Sequence, residues 1–228
     1  MNYLAIGLII ILIVVIYYMY YYLTNTELTS GLQELNKQLE VKYEKLKNPN
    51  ALTYSYQCWL YISSPTSGPV SLFGRQNTSA TGTYEFKVEL SGQTLLLKAG
   101  LGTSDPNTIM TITDSFPLQK WTYLVVNVYN MKTFEAYLNG KLAKTVNVSN
   151  VSDVTPSSKT SSLKIGSADL AGYVTKFIRL PIALDAKTIW NTYLEGNGLT
   201  SYFSSLIPYG LNMSISKGED IQRIVKIF

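Results

Sequence analysis

The chain of 228 residues contains no histidine. That absence removes histidine acid or base catalysis, the Ser-His-Asp and Cys-His nucleophile systems, and ordinary histidine-containing zinc sites. Cys58 is the sole cysteine, so no disulfide forms within the chain, which leans toward a reducing compartment. Charged residues amount to only 15%. The net charge of +4 comes from scattered lysines and arginines rather than a basic stripe, so no nucleic-acid partner is expected.

What the chain does have begins at Tyr3. Residues Tyr3 to Leu23 carry no charge, and Leu4 to Ile16 (LAIGLIIILIVVI) is solidly apolar. As a helix rising about 1.5 Å per residue, the run would reach roughly 30 Å, the thickness of a bilayer's hydrocarbon core. Tyr17, Tyr18, Tyr20, Tyr21 and Tyr22 crowd its second half, where amphipathic rings suit the headgroup boundary. The competing reading is a cleaved signal, which needs a basic start and small residues before the cut. Met1 and Asn2 alone precede the run and bulky tyrosines follow it. A retained single-pass anchor over residues 1–25 is therefore expected, with Tyr3, Leu4, Ile10, Val14, Tyr17, Tyr18 and Leu23 facing lipid or its interface. Glu27 and Glu34 precede the interleaved lysines, so charge bias does not orient the span. The side of the membrane that the rest of the chain faces stays open.

Residues 26–50 read as an amphipathic helical stalk. Leu28, Leu32, Leu35, Leu39, Tyr43 and Leu46 recur at spacings of four and three, a narrow apolar stripe that Pro49 ends. The stripe would lie on the domain or membrane surface, or pair two copies as a short coiled coil and so form a homo-oligomer.

From Leu52 the period changes to that of strands. Thr53 to Ser63 is aromatic and β-rich; Thr83 to Leu90 and Thr94 to Ala99 flank a Ser91-Gly92 turn. Trp121 to Asn130 is apolar on both faces, as a central strand would be. Thr133 to Leu138 meets Lys141 to Val146 through Asn139-Gly140, a pair suited to a type I′ turn. Ser161 to Gly166, Gly172 to Leu180, Tyr209 to Ser216 and Ile221 to Phe228 complete the strands, and Asp185 caps a helix ending near Glu195. The fold class expected over residues 51–228 is an all-β, antiparallel two-sheet sandwich. Trp59, Trp121 and Trp190 are expected to pack between its sheets, the alternative for each being to stack on a sugar. Gly166 and Gly172 mark bends or close backbone approaches.

The order of motifs carries a resemblance. A tryptophan strand (SYQCWLYI) is followed by Pro117-Leu118-Gln119-Lys120-Trp121, then by Tyr137-Leu138-Asn139-Gly140, Ile165-Gly166, and Ala183-Leu184-Asp185 leading to Ile189 and Tyr193. Over Ala51 to Gly196 this resembles the laminin-G-like, concanavalin-A-like jelly roll. The resemblance implies a fold that hosts glycan hydrolases, lectins, calcium-dependent modules and structural modules. Related hydrolases set E-x-D-x-x-E carboxylates on a strand. Here Glu85 and Glu89 share a face with Lys87 between them, which reads as a solvated mixed-charge surface, so no enzyme is expected. Calcium needs six to eight oxygens, and Asp105, Asn107, Asp114, Asp153 and Asp169 are isolated, so no metal or other cofactor is expected.

Two function classes remain. One is a structural or assembly protein anchored in membrane lipid, whose sandwich contacts other protein subunits. The anchor, the tyrosine-rich flanks and the tail SLIPYGLNMSISKGEDIQRIVKIF resemble membrane-anchored minor capsid proteins of nucleocytoplasmic large DNA viruses, which would place the chain between a virion's internal membrane and its shell. The alternative is a membrane-displayed, lectin-like module binding glycan through aromatic residues such as Tyr173 or Tyr202.

Overall fold

The computed structural model describes residues 9–17, 27–29, 31–76, 84–99, 107–148, 161–198, 212–217 and 220–226. Two six-stranded antiparallel sheets pack face to face. The first runs β1 (Gln33–Glu34), β12 (Gly172–Leu180), β3 (Tyr54–Ile62), β8 (Thr122–Tyr129), β9 (Thr133–Leu138), β10 (Lys141–Asn147). The second runs β2 (Leu39–Val41), β11 (Leu163–Ile165), β4 (Pro69–Gln76), β5 (Tyr84–Ser91), β6 (Thr94–Ala99), β7 (Asn107–Thr113). The hairpin of β13 (Asn212–Lys217) and β14 (Asp220–Lys226) pairs with itself. The all-β antiparallel sandwich read from the sequence is the fold.

Alternation builds the core. Along β3, Tyr54, Tyr56, Cys58, Leu60 and Ile62 point inward, meeting Leu124, Val126 and Val128 of β8 and Phe86, Val88 and Leu90 of β5. Tyr56 stacks on Phe86 with centroids 5.1 Å apart, and Phe73 meets Phe177 edge to face at 4.9 Å. Burial pushes the Cys58 thiol well above its ordinary pKa, so it is an inert core atom. At the β9–β10 turn both Asn139 (φ 49°) and Gly140 (φ 77°) are left-handed, as a type I′ turn requires.

Residues 27–50 are not a helical stalk. Glu27 bridges Ile178, the Leu28 amide donates to the Phe177 carbonyl (2.7 Å), and β1 continues this edge along β12. The chain then crosses to the second sheet, where β2 pairs β11. Leu35, Val41 and Leu46 are buried in the core and Leu39 packs against it, each full burial being worth about 1.5–3 kcal/mol. A surface helix could offer one stripe to the sandwich; two edge strands bury these side chains and also satisfy their backbone. Arg179, whose guanidinium lies over the Tyr54 ring (5.2 Å), donates to the Lys47 (2.7 Å) and Pro49 (3.3 Å) carbonyls and ties the segment's end down. No stripe is left for a coiled coil, so pairing two copies through a stalk falls away, and the sandwich begins well before residue 51.

Gly166 (φ 86°) and Gly172 are close approaches, as read: a Cβ would sit 2.3 Å from the Leu35 oxygen and 2.1 Å from the Tyr61 oxygen respectively. Residues 9–17 form helix α1 with exposed apolar side chains, among them Ile10, Val14 and Tyr17. At about 1.5 Å per residue it covers less than half of a bilayer core. Among the described residues no helix is long and apolar enough to cross a membrane. Tyr3, Leu4, Tyr18 and Leu23 of the expected anchor lie outside the described residues.

Candidate functional site

The outer face of the first sheet carries the aromatic residues that the core does not use. Along β3 the outward positions are Ser55, Gln57, Trp59 and Tyr61; register sets Trp59 between Thr175 and Tyr123, and Tyr61 beside Tyr173. Helix α2 (Ala186–Leu194) lies over the middle of this face.

Its docking follows from local chemistry. The Asp185 carboxylate accepts the Thr188 amide (3.0 Å) and hydroxyl (2.5 Å), capping the helix, and those bonds hold its pKa below the usual carboxylate range. The fully buried Asn127 amide donates to the Leu184 carbonyl (2.8 Å) and accepts the Leu184 N–H (3.0 Å), fixing the approach to the helix. At the far end Lys176 donates to the Gly196 carbonyl (2.9 Å). Under α2, Trp59, Tyr123, Val125, Tyr137, Leu184 and Ile189 form a second apolar cluster. Tyr193 stacks on Trp59 at 5.7 Å, and the Tyr123 hydroxyl donates to Gln57.

Next to this covered patch the described residues leave the face partly exposed. Tyr61 lies between Trp121 (5.6 Å) and Tyr173 (6.4 Å), the planes turned by 51° and 50°. Tyr173 is 39% exposed, and Tyr61 and Trp121 are half-buried. Glu34, opposite Tyr173 in register, extends the row to the edge strand and pairs with Lys37 at 2.9 Å. The row offers wide apolar ring faces beside hydroxyl, carboxylate and ammonium groups. Such a mixture suits a ligand that has both apolar faces and hydroxyls.

Beyond the other end of α2, the Glu135 carboxylate accepts the Tyr129 and Tyr137 hydroxyls, each at 3.0 Å. Burial first, then the bond to Glu135, pushes Tyr137 up to about 12 and raises Tyr129 as well. These phenols are donors at neutral pH.

The structure corrects the tryptophan reading. None of the three lies between the sheets: Trp59 is under α2, Trp121 flanks the open row, and Trp190 is 39% exposed on α2. Sequence reasoning missed Tyr61, although its place two residues after Trp59 on one strand signals a shared face. Tyr173, singled out for glycan contact, stands on β12 in the row; Tyr202 lies outside the described residues. Glu89 is not on a solvated surface but 2% exposed, with Lys87 at 2.7 Å and Lys98 at 2.6 Å. Burial alone would raise its pKa, and the two lysines outweigh that and lower it. Among the described residues no group of three acidic or thiol side chains could hold a metal. Asp105 and Asp153 fall outside them.

Comparison with known proteins places this geometry. No curated protein matches the sequence. Among solved structures, the ligand-binding domain of botulinum neurotoxin serotype D in complex with N-acetylneuraminic acid superposes with a TM-score of 0.58 at 14% identity, over 76% of this chain and 45% of that one. The binding domain of botulinum neurotoxin DC in complex with rat synaptotagmin II gives 0.55 at 14%, over 69% and 40%. A structure of botulinum neurotoxin type C, whose cell entry is described as dependent on interaction with two ganglioside molecules, gives 0.54 at 16%, over 69% and 39%. The chain thus spans less than half the length of these structures, and at such identities the likeness is one of fold. The family model Laminin_G_3 matches residues 36–197, from just before β2 to just past α2. The chain belongs to the concanavalin A-like lectin/glucanases superfamily.

Proposed function

We propose that the protein is a non-enzymatic glycan-binding module held at a membrane surface. The observation that carries this reading is the open row Tyr173, Tyr61 and Trp121. Pyranose rings present C–H groups that are attracted to the negative face of an aromatic ring, and the nearby Glu34–Lys37 pair offers an acceptor and donors for hydroxyls. The likeness to a domain solved with N-acetylneuraminic acid supports the ligand class. It reverses the order that the sequence alone favoured. Among the described residues Glu34 is the acid that register sets beside the row, whereas glycoside hydrolysis calls for a pair of carboxylates. A glycan array probed with the full chain in detergent should give hits that Tyr173→Ala and Trp121→Ala each weaken; an array without hits overturns the reading.

The membrane part rests on the uncharged run Tyr3 to Leu23 and on α1, whose residues 9–17 leave Ile10 57% and Ile13 60% exposed. Side chains so apolar lower their free energy by entering lipid. The protein should fractionate with membranes through alkaline carbonate washing; release by that wash removes the anchor.

A second reading, assembly with other protein subunits, is favoured by one surface. Trp190, Leu194 and Leu142 leave 39%, 64% and 55% of their surface exposed, beside the edge strand β10. Exposed apolar side chains beside an edge strand suit a protein partner. A virion shell around an internal membrane is the specific case that the resemblance to minor capsid proteins implies. Crosslinking in the native membrane should then join β10 or α2 to a neighbouring protein, and the protein should stay with particles under mild detergent; extraction with the lipid alone sinks the capsid role.

A further inference from the structure

The row's geometry goes beyond "glycan" to the shape of the glycan. Resting on the reading above, we propose that Trp121, Tyr61 and Tyr173 form a twisted platform for a linear oligosaccharide at least three units long, one sugar per ring. A terminal monosaccharide would not need the whole row.

Spacing is the first argument. The centroids are 5.6 and 6.4 Å apart, comparable to the advance of one pyranose along an extended chain. Tyr61 and Tyr173 stand on the adjacent strands β3 and β12, and Trp121 immediately precedes β8 on the other side of β3, so the sheet's own strand spacing sets this repeat. A single sugar covers one ring and leaves the other two in water. The gain from length is therefore built into the sheet.

Orientation is the second. Each ring is turned about 50° from its neighbour (51° and 50°), so no flat object touches all three faces. A packed, planar polysaccharide surface is excluded, and a free chain that can rotate at each linkage is accepted. The tyrosine hydroxyls and the Glu34–Lys37 pair provide the few polar contacts that fix register.

The third argument is how the row ends. Trp121 is partly buried and packs against the cluster beneath α2, which runs along one side of the row. Past Tyr173 and Glu34 the row reaches β1, the edge strand of the sheet, and runs out. A chain longer than three units meets no further ring of the row, so its extra sugars add no ring contact.

The test is titration calorimetry of the full chain in detergent with β-1,4-linked oligomers of glucose and of N-acetylglucosamine, one to six units long. Affinity should climb about tenfold to a hundredfold from one unit to three, the value of two further ring contacts, and then stay level. Tyr61→Ala, at the centre, should flatten this climb, with its circular dichroism and melting temperature serving as checks on folding. Equal affinity for one unit and three, or array hits confined to branched or terminally capped glycans, overturns the linear platform while leaving glycan binding intact. Absence of any hit on the array overturns both. Binding of trimers that survives the Tyr61→Ala, Tyr173→Ala double variant overturns the assignment to this row.

Discussion

Two aromatic patches lie side by side on the outer face of the first sheet, one covered by α2 and one open. Trp59 and Tyr123 in the covered patch are 6% and 1% exposed; Tyr173 in the open row is 39% exposed. Residue types and strands are shared, since Trp59 and Tyr61 sit two positions apart on β3. The difference comes from Asp185, Asn127 and Lys176, which set where the helix starts, docks and ends. An aromatic side chain therefore holds the fold or meets a ligand according to what lies above it, not according to its identity.

The largest effect should come from the covered patch. Trp59→Ala would remove a ring stacked under Tyr193 and is expected to cost about 3–5 kcal/mol in urea or thermal unfolding. A cost as small as that of an exposed site would mean that α2 does not cover this patch in solution.

Alkali should loosen the same region. The folded pKa of Tyr137, about 12, stands above the ordinary tyrosine value of about 10, so the fold favours the neutral phenol. That share of stability is complete below about pH 10 and is lost as pH rises through about 12. Urea melts at the two ends of this window should show wild type losing more stability than Tyr137→Phe; equal losses would show that Tyr137 is not shielded.

Asp185→Ala should lower the melting temperature slightly, since the Thr188 amide loses its cap. It should also raise amide exchange in α2 while leaving that of β3 unchanged. If β3 exchanges faster too, helix and sheet open as one unit.

The smallest change in stability belongs to the open row. Tyr173→Ala should shift unfolding by no more than about 0.5 kcal/mol, yet weaken glycan binding by about threefold to tenfold. A large loss of stability would make Tyr173 a packing residue and blur the contrast between the two patches.

Much of the sandwich was legible because strand alternation and turn chemistry are local. Asn139-Gly140 forecast its hairpin, Gly172 to Leu180 became β12 at the same bounds, and Asp185 caps the helix as read. The segment 26–50 was misread because leucines at spacings of four and three fit a helix, and nothing local reveals that two sheet edges wait for it. β4 and β7 carry no such local signal: Pro69 opens β4 and Gly74 interrupts its alternation, and β7 (Asn107–Thr113) lies outside the runs that alternate. The open row was half visible: Tyr173 was named from its type, but its neighbours come from strands far apart in the chain.

The sequence by itself determined an all-β sandwich, an uncharged apolar run, and the lack of histidine and of an E-x-D-x-x-E run, because composition and period act at short range. Tertiary structure alone decided that Leu35 and Leu46 belong to the core, that Trp59 is covered, and that Tyr61 meets Trp121 and Tyr173. Those outcomes depend on which strands become neighbours and where α2 lands, and both are settled by burying the most apolar surface with every backbone group paired.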